Sequence, residues 1–257
     1  MTKFSTKYHR KRDVFSPEYN SPTCSYACES GSRAWGFPSP DSDYDIRFKY
    51  MHERDWYLSV NESKDQISVM PNKLLDGMGW DFRKFLRLLY KSNSTTFEWL
   101  QSPIVYPENK SFTVPLRELT EKYFQPKRVM QHYLGIATGK LQRDFQGEKV
   151  NIKKYFYVLR PVLAAAYIVK YSSPPPVDFY ELLPLIKDKP NICDEIIKLL
   201  KQKETAMESD EVMRVDILDR FVKNEMERCD NIAKTLPKKQ MEWDDINLFY
   251  RKILNLV

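Results

Sequence analysis

A chain of 257 residues with 42% hydrophobic and 14% aromatic side chains can bury one large core or two small ones, and 30% charged residues suit a water-facing surface. The longest apolar run, Tyr155 to Tyr171, is interrupted by Arg160, Pro161 and Lys170, and no apolar signal region follows Met1, so neither a membrane span nor a secretory leader is expected and a cytoplasmic location is. The net charge of +6 is unevenly spread: nine Lys/Arg stand against Asp144 and Glu148 between Lys122 and Arg160, and the arm Lys3 to Arg12 has no acid, a bias that suits phosphate-bearing partners.

In chain order, aromatic and apolar runs between turn formers predict strands over Cys24 to Glu29, Tyr44 to Met51, Trp56 to Val60 and Leu74 to Trp80. The period then changes. Phe82, Phe85, Leu86, Leu88 and Leu89 share a helical face in Asp81 to Asn93, with Asp81 in the first turn. Glu98-Trp-Leu reads as core, its glutamate bonded locally. Beyond Pro103 the pattern is helical: Pro115 to Phe124, Pro126 to Phe145, Asn151 to Tyr171, Phe179 to Ile186, Cys193 to Met207, Glu211 to Thr235 and Trp243 to Leu256. Three consecutive prolines at 174–176 break that run. The expected fold class is α+β: a small mixed sheet over residues 1–105, followed by an all-helical unit over 106–257. Cys24 and Cys28, four apart on a strand, do not meet as zinc ligands and read as structural thiols, with Cys193 and Cys229.

The chemistry concentrates near the first strands, where four of the 7 glycines fall (Gly31, Gly36, Gly77 and Gly79). Gly31-Ser32 can turn backbone N–H groups and a hydroxyl toward phosphate oxygens, and Arg33 adds a forked cation. Asp43 and Asp45, two apart at the start of a strand, point to one face. Like charges held that close favour a shared divalent cation. Trp35 and Phe37 serve either as a wall of a nucleotide pocket or as packing after a turn, and His132 reads as structural.

Gly31-Ser32 followed by Asp43-x-Asp45 resembles the signature of the DNA polymerase beta nucleotidyltransferase superfamily. The strings Ser30 to Phe37 and Ser42 to Arg47 resemble one branch, the predicted nucleotidyltransferases of bacterial and phage RNA-repair pathways. Gly79 to Leu86 running on through Glu98 to Tyr106, and Lys153 to Pro161, are similar to the same branch. The resemblance implies Mg²⁺ as cofactor (two ions, Mn²⁺ also possible) on Asp43, Asp45 and a third carboxylate, with Asp76 favoured over Asp81. It implies a helical half that contacts base and triphosphate. Lys153 and Lys154 could neutralise phosphates, Arg160 lies on the same helix, and Tyr155 or Tyr157 could stack on the base. The implied partners are a nucleoside triphosphate and an RNA acceptor. A non-catalytic RNA- or nucleotide-binding module, and an enzyme that nucleotidylates protein hydroxyls, are the alternatives.

Overall fold

The computed structural model describes residues 23–255 apart from 62, 63, 73, 208 and 209, so the basic arm at Lys3 to Arg12 lies outside the described residues. Five strands form one sheet in the order β3-β4-β2-β1-β5: β1 Thr23–Glu29, β2 Tyr44–Met51, β3 Gln66–Asn72, β4 Leu75–Asp81 and β5 Val105–Glu108. β2 and β4 run parallel, with Tyr44 opposite Leu75 and Asp45 opposite Asp76; the other pairings are antiparallel. Two short helical turns, α1 Gly31–Ala34 and α2 Arg54–Tyr57, follow β1 and β2. The fold is mixed α+β with a helical C-terminal part, as expected. Among the described residues no helix is long and apolar enough to cross a membrane.

Helix α3 (Phe82–Tyr90) leaves β4 through Asp81, whose carboxylate accepts from the Arg83 and Lys84 N–H groups, and α4 (Ser94–Gln101) starts on an Asn93 cap. Then come α5 (Lys110–Lys122), α6 (Pro126–Asp144), α7 (Ile152–Tyr171), a 3-10 segment (Tyr180–Ile186), α8 (Pro190–Thr205), α9 (Asp216–Thr235) and α10 (Asp244–Leu254). β6 (Lys149–Asn151) and β7 (Glu211–Met213) pair antiparallel beside the start of α7. Helix α7 is buried nearly all round, from Ile152 to Ile168. A large apolar cluster joins Tyr26 and Trp80 of the sheet to Met130 of α6, Ala164 of α7 and Phe249 of α10. A second gathers Phe37, Phe156, Phe179 and Leu200.

Several elements differ from the pattern reading. Trp56 to Val60 is not a strand. Trp56 stacks on His52 at 3.9 Å, and the Tyr57 hydroxyl turns inward to Asp81 at 2.6 Å, both satisfied by a helical turn. The missing sheet position is taken by β3, a largely exposed edge strand that tolerates Pro71. Helix α5 begins five residues before Pro115 because Asn109 caps it, accepting from the Ser111 N–H. The segment read as the start of the helix after 210 is β7. Strand β5 straddles residue 105, and the larger apolar cluster draws on both sides of it.

Lys49 of β2 is wholly buried, its Nζ 3.8 Å from the Tyr26 ring centroid and 4.4 Å from that of Phe85, without a hydrogen-bond partner. Burial holds its pKa down to about 7. The unfolded chain therefore binds that proton more tightly, so stability rises with pH between about 7 and the ordinary lysine value, and the full cost is present below 7. Lys49→Met is expected to stabilise the fold by about 2 kcal/mol at pH 6 and to flatten the rise in Tm between pH 7 and 10. Thermal melts across that range measure both effects; an unchanged slope would assign the pH dependence elsewhere.

Candidate active site

The parallel pairing of β2 with β4 sets the centre of the site. Register places Asp45 beside Asp76 on one face, and Arg47, two residues on, shares that face. One guanidinium nitrogen, Arg47 Nη2, donates to Asp45 Oδ1 at 2.6 Å and to Asp76 Oδ2 at 2.8 Å, and Nη1 donates to the Asp76 carbonyl at 2.9 Å. Asp43, exposed, immediately precedes the strand. Burial raises the Asp45 pKa; Arg47 opposes the rise, while Asp43, Asp76 and Glu29 add to it. Four acids thus lie close together, with Arg47 bonded to two of them.

The Gly-Ser turn closes over this centre. Gly31 has φ +63°, and a Cβ built on it would lie 2.0 Å from Asp45 Oδ2, so the backbone passes where only glycine fits. The Ser30 N–H donates to the Asp45 carbonyl at 2.9 Å. Ser32 Oγ meets Ser42 Oγ at 3.0 Å, linking α1 to the loop that delivers Asp43. Arg33 lies over the Tyr44 ring and donates to Glu29, a buried acid that also accepts from the Tyr106 hydroxyl at 2.6 Å. Gly36, at φ +86°, packs against the Asp178 carboxylate, and buried Lys203 donates to the Phe37 carbonyl at 2.6 Å. Burial lowers the Lys203 pKa to about 8.

From the helical half, Lys153 reaches Asp41 Oδ1 at 3.0 Å, at the root of the Asp43 loop. Lys154 pairs at 3.8 Å with Asp144 and lies 5.8 Å from the Tyr157 ring centroid; Lys140 lies 4.8 Å from the same ring. Trp35 meets that ring edge-on at 5.7 Å. Tyr155 points the other way. It is 1% exposed, accepts from the Val215 N–H at 2.7 Å, donates to Asp219 at 3.3 Å, and is no surface on which a base could stack. Arg160 is likewise buried, donating to Glu98 at 3.0 Å and to the Val177 carbonyl, and lying 4.7 Å from the Trp35 ring. Glu98 also accepts from the Tyr133 hydroxyl at 2.6 Å, so its bonds are long-range rather than local.

Asp81 is used structurally, as the α3 cap and as acceptor for Tyr57, whereas Asp76 faces Asp45. Pattern reasoning missed Arg47, Lys140 and Glu29. Arg47 carried a usable signal, since its i, i+2 spacing from Asp45 puts both on one face; the other two depend on packing across distant segments.

Among the described residues no three His, Cys, Asp or Glu side chains already converge as a metal cage. The donor set nevertheless fits a hard divalent cation: two carboxylates from adjacent strands converge on a single positively charged nitrogen, and oxygen ligands are what such ions take.

A five-stranded mixed sheet carries facing aspartates on its two parallel strands beside a Gly-Ser turn, the arrangement that the resemblance to the polymerase beta superfamily leads one to expect. The chain belongs to the RNA repair pathway DNA polymerase beta family, which it matches over residues 7–252. It is 43% identical over 232 residues to the uncharacterized protein YcgL of Bacillus subtilis (strain 168), spanning 90% of this chain and 88% of that one. It is 26% identical over 136 residues to the uncharacterized protein 062L of Invertebrate iridescent virus 6, covering 49% of this chain and 69% of the viral one. A solved nucleotidyltransferase-like protein from Exiguobacterium sibiricum 255-15 is 14% identical, with 91% of this chain and 75% of that one covered, at a TM-score of 0.31.

Proposed function

We propose that this protein is a divalent-metal-dependent nucleotidyltransferase that moves a nucleoside monophosphate from a triphosphate to a hydroxyl, with an RNA end as the preferred acceptor. The observation that carries the reading is the Asp45–Asp76 pairing across parallel strands, with Gly31 backbone pressed against Asp45. In this reading Asp43, Asp45 and Asp76 hold Mg²⁺, two ions when fully loaded, or Mn²⁺. Bound metal would lower the pKa of the acceptor hydroxyl and stabilise charge on the transferring and leaving oxygens. The acceptor oxygen bonds to the α-phosphorus as the bond to pyrophosphate breaks, and the hydroxyl proton passes to a carboxylate or solvent.

The side chains divide the rest of the work. Gly31 and Ser32 bring backbone and hydroxyl donors to the triphosphate, and Arg33, held in place by Glu29, supplies fixed positive charge. Lys153 and Lys154 neutralise phosphate charge from the helical side. Tyr155 and Arg160 act from behind: Tyr155 anchors α7 to the start of α9, and Arg160 seats Trp35. Residues 1–105 thus carry the chemistry and 106–257 the holding of substrate, with a cytoplasmic site of action.

A second reading is favoured by Arg47, which already bonds two of the three carboxylates without any metal: a module that binds nucleotide or RNA and does no chemistry. Purified protein incubated with Mg²⁺ or Mn²⁺, labelled triphosphates and a panel of RNAs separates them. Wild type is expected to label RNA at least about 10³-fold faster than Asp43→Ala/Asp45→Ala. Equal rates would sink the enzyme reading, and label appearing on protein instead, read by mass spectrometry, would move the acceptor to a protein hydroxyl.

A further inference from the structure

A cavity of about 480 Å³ opens at the start of α6, walled by the end of α3 and the segment leading into α10, and shares no lining residue with the carboxylate site. Four features converge there. Trp243 stacks on Tyr90 at 3.6 Å with ring planes 10° apart, and the indole remains 39% exposed. The 19-residue helix α6 has no side-chain cap: Gln125 occupies the N-cap without bonding the first-turn N–H groups, and Pro126 follows it. Gln125 is 4% exposed, lines the cavity, and its Nε2 is buried with no hydrogen-bond partner. Arg128, Lys238 and Lys239 line the same space against a single acid, Glu242, and among the described residues none of the three cations has an acidic partner.

Each feature suits one part of a common ligand. An uncapped helix N-terminus with cations around it attracts a phosphate oxygen. An exposed indole face, already held flat by a stacked tyrosine, accepts a base by stacking, a contact that every base can make. A buried amide donor without a partner is costly until a ligand acceptor reaches it. The frame is also fixed. The Tyr90 hydroxyl donates to the Met241 carbonyl at 3.0 Å, the Tyr123 hydroxyl to that of Glu242 at 2.7 Å, and Lys127 to the Leu236 carbonyl at 2.9 Å. The segment carrying Lys238 and Lys239 is therefore tied down at both ends.

We propose that this cavity is a binding site for a nucleoside phosphate, with the phosphate at the α6 N-terminus and the base on Trp243. The unit comes either from a single-stranded RNA or from a free mononucleotide. The site does not depend on the catalytic reading, because nothing in it touches Asp43, Asp45 or Asp76.

The test is equilibrium binding of a fluorescently labelled ten-nucleotide unstructured RNA to the full chain in chelator, with AMP and inorganic phosphate as competitors. Trp243→Ala is expected to weaken binding on the order of ten-fold, with Trp243→Phe restoring most of it. Lys238→Ala/Lys239→Ala, both on the surface and unable to unfold the chain, should weaken binding and reduce the slope of log affinity against log salt by about 1.4. Full displacement by AMP supports the site with a free nucleotide as its ligand; displacement only by unlabelled RNA supports it with a strand. Wild-type affinity and salt slope in the double lysine variant, or no binding of RNA, AMP or phosphate by wild type, would overturn the proposal. Because metal is absent throughout, this outcome is independent of whether the protein transfers nucleotides.

Discussion

Gly31→Ala is expected to lower nucleotidyl transfer by at least about 10²-fold and to reduce stability by about 1–2 kcal/mol. The two effects share one cause. A left-handed φ of +63° costs an alanine energy that glycine does not pay, and the new methyl would stand 2.0 Å from Asp45 Oδ2. Either the turn relaxes or the carboxylate moves, and movement of Asp45 also disturbs its 2.6 Å bond to Arg47. Initial rates at saturating triphosphate, together with a calorimetric Tm, measure the pair. A variant that is destabilised yet transfers at the wild-type rate per folded molecule would detach Asp45 from the chemistry. A variant unchanged in both would mean that the turn is not as tight as described.

The second large effect separates the two acids between which the sequence reading had to choose. Asp76→Ala is expected to leave stability within about 0.5 kcal/mol of wild type, because Asp76 is a partly exposed acid and Arg47 keeps its other partner, Asp45. Its transfer rate should nevertheless fall by about 10³-fold or more. Asp81→Ala is expected to behave the opposite way. Asp81 is 1% exposed, caps α3 through two N–H groups and accepts from the Tyr57 hydroxyl. Removing it takes away a cap and orphans a buried hydroxyl, a combined cost of about 2–4 kcal/mol, with the rate per folded molecule preserved. Denaturant melts and rates on both variants provide the comparison. The reverse pattern would make Asp81 the third carboxylate.

What could be read from the chain was whatever depended on local spacing. The i, i+2 step of Asp43 and Asp45, the 3.6-residue period after Asp81 and the glycines around the motif are all local, and β2, α3 and the helical second half follow from them. What could not be read was decided by partners distant in sequence. β3 exposes most of its side chains, so its alternation is faint, and it is a strand because β4 offers it an edge. β5 is four residues long and exists by pairing with β1. Trp56 and Tyr57 look like strand residues until His52 and Asp81 claim them. The site divides along the same line. Arg47 was legible in principle, whereas the inward turn of Tyr155 depends on Val215 and Asp219, some sixty residues further along.

Arg47 has a practical meaning for how such a protein lives. Because the chain brings its own counter-charge to Asp45 and Asp76, its folding does not wait on an ion from solution. Purification in chelator should yield a folded protein, unlike domains whose architecture is built around zinc. In the metal-dependent reading an incoming cation would meet carboxylates that already share a tethered counter-charge, so it would have to compete with Arg47 for them. Occupancy would then follow the free ion level in the surroundings rather than saturating at trace amounts. In the metal-dependent reading, folding would then be uncoupled from catalytic competence, and intact but idle molecules would be held ready.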